Sequence, residues 1–248
     1  MRDEFKKRAE ENSKILHEEL AEFLNGTWIL ACKSSNVIDS CLGEIKTECK
    51  ELDSTRILRN IISDLCCCLD SLERGGCRTI DNNLRMAFED YCCAVQLYAD
   101  PKAYSVFLKA DLDAPKSVTF AKKQCEGYED FGRLYGHFSS ISHHSGPLLL
   151  ARQIVSIENE MVCYAHLKPI KPTELTAQIS KLIFIAFLLI EIGMLAEKIS
   201  LDLIDTPYFG IKSQQGYQKR FDTPEAIFIR KLAKKTDSIL NPMRSYQA

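Results

Sequence analysis

One segment constrains the fold of this chain more than any other, the unbroken apolar run from Leu182 to Ile190. The charged residues Lys181, Glu191, Glu197 and Lys198 keep the uninterrupted apolar stretch below the roughly 20 residues that a bilayer span needs. A helix that is apolar on every side is stable in water only where other elements surround it. The run therefore predicts a central buried helix and no contact with a membrane.

Most of the remaining chain repeats apolar residues with the spacing of an α-helix. The most regular helix is predicted from Arg78 to Tyr98, before a stop at Asp100-Pro101. Its apolar stripe consists of Leu84, Phe88, Tyr91, Val95 and Tyr98. We therefore predict an all-α protein, a multi-helix bundle with antiparallel long helices.

The pattern predicts three more helices before this one. The first begins near Phe5 and stops or kinks at Asn25-Gly26, and the second spans Val37 to Leu52. The third follows an N-cap at Asp53-Ser54 and ends at Gly75-Gly76. Joined by short connections, these helices are expected to pack in antiparallel fashion.

The patterns that follow are shorter and less regular. Short helices are predicted at Ala103 to Lys109 and at Pro115 to Cys125, and another helix begins near Tyr128. The stretch from Gln153 to His166 suits a strand as well as a helix, because it is rich in β-branched residues. The sequence Thr223-Pro-Glu is typical of the start of a last helix.

These elements predict three parts of the chain. Residues 1–76 form an N-terminal helical segment that packs on the core, and residues 77–205 form the helical-bundle core. Residues 206–248 contain an irregular connection and a C-terminal helix, whose surface from Lys212 onward is basic. That basic surface is typical of a solvated helix as much as of a contact with nucleic acid.

Charge and cysteine content bound the compartment and the partners. The formal charge of -2 excludes a generic polyanion binder, so any contact with nucleic acid would use a local patch. The 11 cysteines include adjacent runs such as Cys66-Cys67-Cys68, which cannot all join one disulfide framework. The first residues mix acids with bases, unlike an ordinary signal peptide. We expect free thiols and a reducing cytoplasm.

Familiar catalytic and metal-binding motifs do not occur in the sequence. It contains no glycine-rich phosphate loop, no Gly-x-Ser-x-Gly, no His-Glu-x-x-His and no Cys-x-x-Cys. Glu89, His137, His143, His144 and His166 could offer metal ligands, but the carboxylate and histidine spacing of di-iron bundles is missing. We predict neither a metal nor a cofactor.

A polar cluster holds three of the five histidines of the chain. On a helix, Tyr135, Ser139 and His143 stand at i, i+4 and i+8 and share one face, while His137 lies near Arg133. The adjoining His144 and Ser145 precede a Gly-Pro stop. Such a face could form a catalytic or ligand-binding wall, or it could supply hydrogen bonds that fix the end of a helix.

A second polar feature lies on the regular helix, where Arg85 and Glu89 stand at i, i+4 beside the apolar stripe. If the pair is partly buried, the two groups must satisfy each other or a third group such as His143 or Tyr135. If the pair is exposed, it contributes only a few tenths of a kcal/mol. Both arrangements agree with the sequence.

The motif Arg85-Met-Ala-Phe-Glu89, together with Tyr135-x-x-x-Ser139-x-x-x-His143-x-Ser145, a proline-containing loop and a long apolar helix, resembles a family of uncharacterised bacterial helical proteins. The resemblance covers roughly Thr79 to Ser200. In outline these proteins are similar to the HEPN superfamily, helical bundles that often cut RNA in toxin or defence systems with an Arg-x(4 to 6)-His motif at a dimer interface. The resemblance thus implies RNA or a nucleotide as a partner and leaves a homodimer open.

The sequence departs from the HEPN motif in its arginine. Three residues lie between Arg133 and His137 and nine between Arg133 and His143, whereas position 136, which would leave six residues before His143, is occupied by Gly136. Without that arginine the expected stabilisation of phosphate charge is lost.

The sequence therefore leaves two alternative functions. The first is a nucleotide- or RNA-interacting protein in which His143, Arg85, Glu89, Tyr135 and Ser139 carry the chemistry, with binding contacts from His137, His144, Ser145 and Arg133. The second is a non-enzymatic interaction protein in which these residues hold helices together.

Overall fold

The protein is described by a computed structural model that covers residues 2–74, 78–124, 136, 154–158, 161–164 and 175–204. Six helices and two short strands lie in these ranges. They are α1 (Arg2–Glu44), α2 (Lys50–Glu73), α3 (Arg78–Ala99), α4 (Ala103–Phe107), α5 (Ala114–Gln124), β1 (Ile154–Glu158), β2 (Met161–Tyr164) and α6 (Leu175–Ile204). The prediction of an all-α helical bundle is confirmed.

Each of the first three helices runs antiparallel to the next one along the chain, in the antiparallel arrangement that the sequence predicts for its long helices. The indole of Trp28 near the middle of α1 donates a hydrogen bond of 2.6 Å to Glu73 at the end of α2. Near the other end of this contact, Cys41 Sγ lies 3.7 Å from Thr55 Oγ1. Helices α2 and α3 are antiparallel as well, because Lys50 at the start of α2 donates to the carbonyl oxygen of Tyr98 at the end of α3.

Helix α6 runs parallel to α3, its neighbour in the bundle. Its start meets the start of α3 where Lys181 pairs with Asp81, and its middle meets Tyr91 through Glu191. Towards its end, Lys198 Nζ lies 5.4 Å from the ring centroid of Tyr98. Parallel helices need a connection that returns along the bundle. The chain between α3 and α6 is long enough for that return, and it contains α4, α5 and the two strands.

Helix α6 also runs parallel to α1, to which it packs closely. Ser34 on α1 donates a hydrogen bond of 2.7 Å to the carbonyl oxygen of Leu189, and a side chain at Gly193 would begin 3.3 Å from the same serine oxygen. Ser200 donates to Glu44 at the far end. The small residues at this crossing allow the two backbones to approach each other.

The core lies where α1, α2 and α3 surround α6. Phe88 and Phe184 are fully buried, and their ring centroids are 5.8 Å apart. Residues 182, 184–186, 188 and 189 of the apolar run are also buried, as expected for a central helix. By length and composition alone, Gln178–Ser200 would also pass as a membrane span, and 61% of its most apolar window is buried inside the protein. Core helices of soluble proteins share these properties.

The predicted division of the N-terminal part into three helices is wrong, because the described residues 2–74 form two. The predicted helix from Val37 to Leu52 does not exist as a unit: residues 37–44 belong to α1, residues 50–52 belong to α2, and residues 45–49 between them are not helical. Helix α1 continues through Asn25-Gly26 and ends at Glu44, because Leu24 and Thr27 on either side are buried in the core. Helix α2 begins near Cys49, which takes the extended conformation of an N-cap. Asp53 is therefore inside the first turn, where its backbone N–H donates to the carbonyl oxygen of Cys49 at 3.1 Å. Tertiary packing outweighs the local preference of these residues.

The shorter elements agree with their predictions. Helices α4 and α5 fall within one to two residues of the predicted bounds. The stretch from Gln153 to His166 suited either a strand or a helix by its sequence. Strands β1 and β2 lie in it and pair antiparallel, with Ile157 opposite Val162. The predicted helices near Tyr128 and Thr223 and the part from 206 to 248 lie outside the described residues.

Candidate functional site

Only two of the predicted site residues, Arg85 and Glu89, lie in the part of the chain that the structure describes. The others are outside it, and their roles stay predictions. They are Arg133, Tyr135, His137, Ser139, His143, His144 and Ser145. Gly136, within that segment, is helical and exposed.

Arg85 and Glu89 form a partly buried ion pair on α3. The distance from Arg85 Nε to Glu89 Oε1 is 3.7 Å, and the two side chains are 19% and 18% exposed. This distance exceeds that of a good hydrogen bond, so the contact is mainly electrostatic. The pair therefore corresponds to the partly buried arrangement, in which each charge has lost much of its water.

A second ion pair, which the sequence did not reveal, lies one turn towards the start of α3. Lys181 Nζ on α6 is 3.1 Å from Asp81 Oδ1, and both side chains are buried, at 8% and 2% exposed. Asp81 lies in the first turn of α3, where the positive end of the helix dipole favours a carboxylate. The available signal was Lys181 directly before the apolar run, because a charge that enters a buried helix needs a partner.

Together these residues form a charged row along α3. Asp81, Arg85 and Glu89 follow one another at intervals of four residues, so they share one side of the helix with alternating charge. Lys181 adds the second positive charge from α6. The two positive and two negative groups balance, which reduces the attraction of this row for an anion such as phosphate. The row is suited to fixing α6 against α3.

The buried cysteines near the core are poor nucleophiles. The pKa of the Cys68 thiol is raised to about 12, mainly by burial and then by the nearby Asp64 and Cys67. Burial is also the main reason why the pKa values of Cys41 and Cys93 are raised. A thiol that keeps its proton neither attacks a substrate nor binds a metal readily. Among the described residues, no three His, Cys, Asp or Glu side chains are grouped as metal ligands.

A different polar contact lies at the C-terminal end of α3. Lys50 Nζ and Lys198 Nζ lie 5.7 Å and 5.4 Å from the centre of the Tyr98 ring. Lys50 also donates to the carbonyl oxygen of Tyr98, one of the last acceptors of the helix. These lysines thus connect the ends of three helices.

Comparisons with known protein families, with curated proteins and with solved structures find no match for this chain.

Proposed function

We propose that this chain is a non-enzymatic helical interaction protein of the bacterial cytoplasm, a component of a stress or defence system. The observation that carries the proposal is the buried pair Asp81–Lys181, extended by Arg85 and Glu89. These charges neutralise one another within the bundle. A catalytic site would direct at least one of them towards a substrate.

The charged row has a structural purpose in this proposal. Apolar side chains pack in many registers, whereas a buried carboxylate and ammonium are stable only when they meet. The Asp81–Lys181 contact thus selects one position of α6 along α3, and Tyr91 supports it through a hydrogen bond of 3.4 Å to Glu191. A rigid bundle of this kind offers a fixed surface to a partner.

A second candidate, a HEPN-like protein that binds RNA or a nucleotide, is favoured by one observation. About a fifth of the Arg85 side chain faces solvent, beside the carboxylate of Glu89. An arginine held in this way could turn towards a phosphate. In this candidate His143 supplies the acid and base chemistry, with Tyr135 and Ser139 beside it.

One experiment separates the two candidates. The full chain and its Arg85→Ala and His143→Ala variants are tested for melting temperature and for binding and cleavage of a fluorescent single-stranded RNA. Arg74→Ala is the matched control, because Arg74 forms an i, i+4 pair with Asp70 that is largely exposed.

The interaction protein is expected to show no saturable RNA binding and no cleavage in any form. Arg85→Ala then lowers the unfolding free energy by about 1 kcal/mol, because the partly buried Glu89 loses the positive charge beside it, while Arg74→Ala changes little. RNA binding or cleavage that disappears in both Arg85→Ala and His143→Ala, at unchanged melting temperature, would contradict the proposal and support the second candidate.

A further inference from the structure

The contact between α1 and α2 contains two polar links that fix the helices against each other. At one end Trp28 donates to Glu73. At the other end Arg59 on α2 lies 3.0 Å from Asp39 on α1 and also donates to Ser35. The positions on α1 follow the helical spacing i, i+7 and i+11, so these residues share one stripe that faces α2.

A cysteine lies on each helix between these two links. Cys32 is four residues after Trp28 and three before Ser35, which places it on the same stripe of α1. Cys66 lies seven residues from both Arg59 and Glu73, two full turns away in each direction. Because α1 and α2 are antiparallel, the two cysteines come opposite each other.

The surroundings of the two thiols agree with this position. Burial raises the pKa of the Cys66 thiol most, and the neighbouring Cys32 thiol raises it next. Cys32 is exposed and Cys66 is half-buried. A small reagent in solution can therefore reach Cys32 first. Cys66 can then react with the modified Cys32 across the contact between α1 and α2.

We propose that Cys32 and Cys66 are a redox-sensitive pair that forms a disulfide between α1 and α2 by exchange with a small-molecule disulfide of the glutathione class. In the first step the Cys32 thiolate attacks one sulfur of glutathione disulfide, its S–S bond breaks, and one glutathione thiolate leaves. In the second step the Cys66 thiolate attacks the Cys32 sulfur and displaces the second glutathione. The two protein thiols are oxidised, one glutathione disulfide is reduced, and both thiol protons end on glutathione.

The neighbouring cysteines provide a matched control. Cys67 is exposed, but adjacent residues of a helix point about 100° apart. When Cys66 faces Cys32 on α1, Cys67 therefore points in a different direction. Cys41 and Cys68 are buried, so a reagent in solution does not reach them. Cys67→Ser is thus expected to leave the reaction unchanged.

Oxidation is expected to stabilise the bundle. A bond between α1 and α2 limits the separation of these helices in the unfolded chain, which raises the melting temperature by about 5 °C. Trp28, the only tryptophan of the chain, lies one turn from Cys32 and reports the change through its fluorescence.

The test treats the reduced full chain with rising ratios of oxidised to reduced glutathione, blocks remaining thiols with an alkylating reagent, and maps the peptides by mass spectrometry. The expected product is a peptide pair joined between Cys32 and Cys66, lost in Cys32→Ser and in Cys66→Ser but kept in Cys67→Ser. Glutathione that stays on Cys32, a bond that includes Cys67, or a link between two chains would overturn the proposal. The map of the unmodified sequence decides the question even where a variant does not fold.

Discussion

The buried pair Asp81–Lys181 gives the sharpest test of how this bundle is held together. We expect Lys181→Met to lower the stability far more than loss of any exposed lysine. Methionine has a similar length and no charge, so it fills the space of the lysine stem while removing the ammonium group that faces Asp81. Asp81 is only 2% exposed and cannot recover that interaction from water.

The magnitude follows from the geometry. At 3.1 Å and an effective dielectric constant of about 20, the attraction between the two charges is about 5 kcal/mol. The cost of removing both groups from water offsets much of this attraction in the intact pair. A variant with one partner keeps the cost for the remaining charge and loses the attraction, so its unfolding free energy falls by about 3 to 5 kcal/mol.

The assay is urea unfolding followed by circular dichroism, with the melting temperature as a second readout. A loss of this size corresponds to roughly 10 °C for a chain of this length. The matched control is Lys116→Met, because Lys116 is 81% exposed and pairs with Asp113 at 3.4 Å. That change is expected to stay within about 0.5 kcal/mol.

A double variant distinguishes an ion pair from simple packing. With Asp81→Asn added, Lys181→Met no longer leaves a buried charge, so the double variant is expected to be more stable than Lys181→Met alone. The reasoning is refuted if Lys181→Met costs no more than Lys116→Met, or if the effects of the two single changes simply add.

Two further predictions concern the helix contacts and the thiols. Gly193→Ala is expected to be about 1 kcal/mol more favourable for the unfolding free energy in a Ser34→Ala background than in the original sequence, because Ser34 Oγ no longer crowds the new Cβ. Equal effects of Gly193→Ala in the two backgrounds, measured by denaturant unfolding, would contradict the close contact. The Cys68 thiol has a pKa of about 12 in the folded chain, whereas the ordinary value of 9.0 applies after unfolding. The unfolded state therefore binds fewer protons between these values, and stability falls with rising pH by about 1.4 kcal/mol per unit. Cys68→Ala should make the loss of stability with pH shallower in urea titrations from pH 9 to 11, and an identical slope in both proteins would rule the effect out.

The candidate site was only partly accessible to sequence reasoning. The spacing of Arg85 and Glu89 predicts their contact, because i and i+4 meet on any helix. Their partial burial did not follow from that spacing, since burial depends on which helix packs beside them. Asp81 and Lys181 carry no local sign of each other, because 100 residues separate them and α3 must lie parallel to α6 before they meet.

The amino-acid sequence alone determined the helical class, the central place of the helix around residues 182–190 and the approximate extent of α3, α4 and α5. These properties follow from apolar spacing within one segment, which is a local quantity. The tertiary structure decided the direction of α6, the continuity of α1 through Asn25-Gly26 and the placement of Cys32 opposite Cys66. Such features depend on the register between helices far apart in the chain, and that register is set by the packing of whole surfaces and the pairing of buried charges.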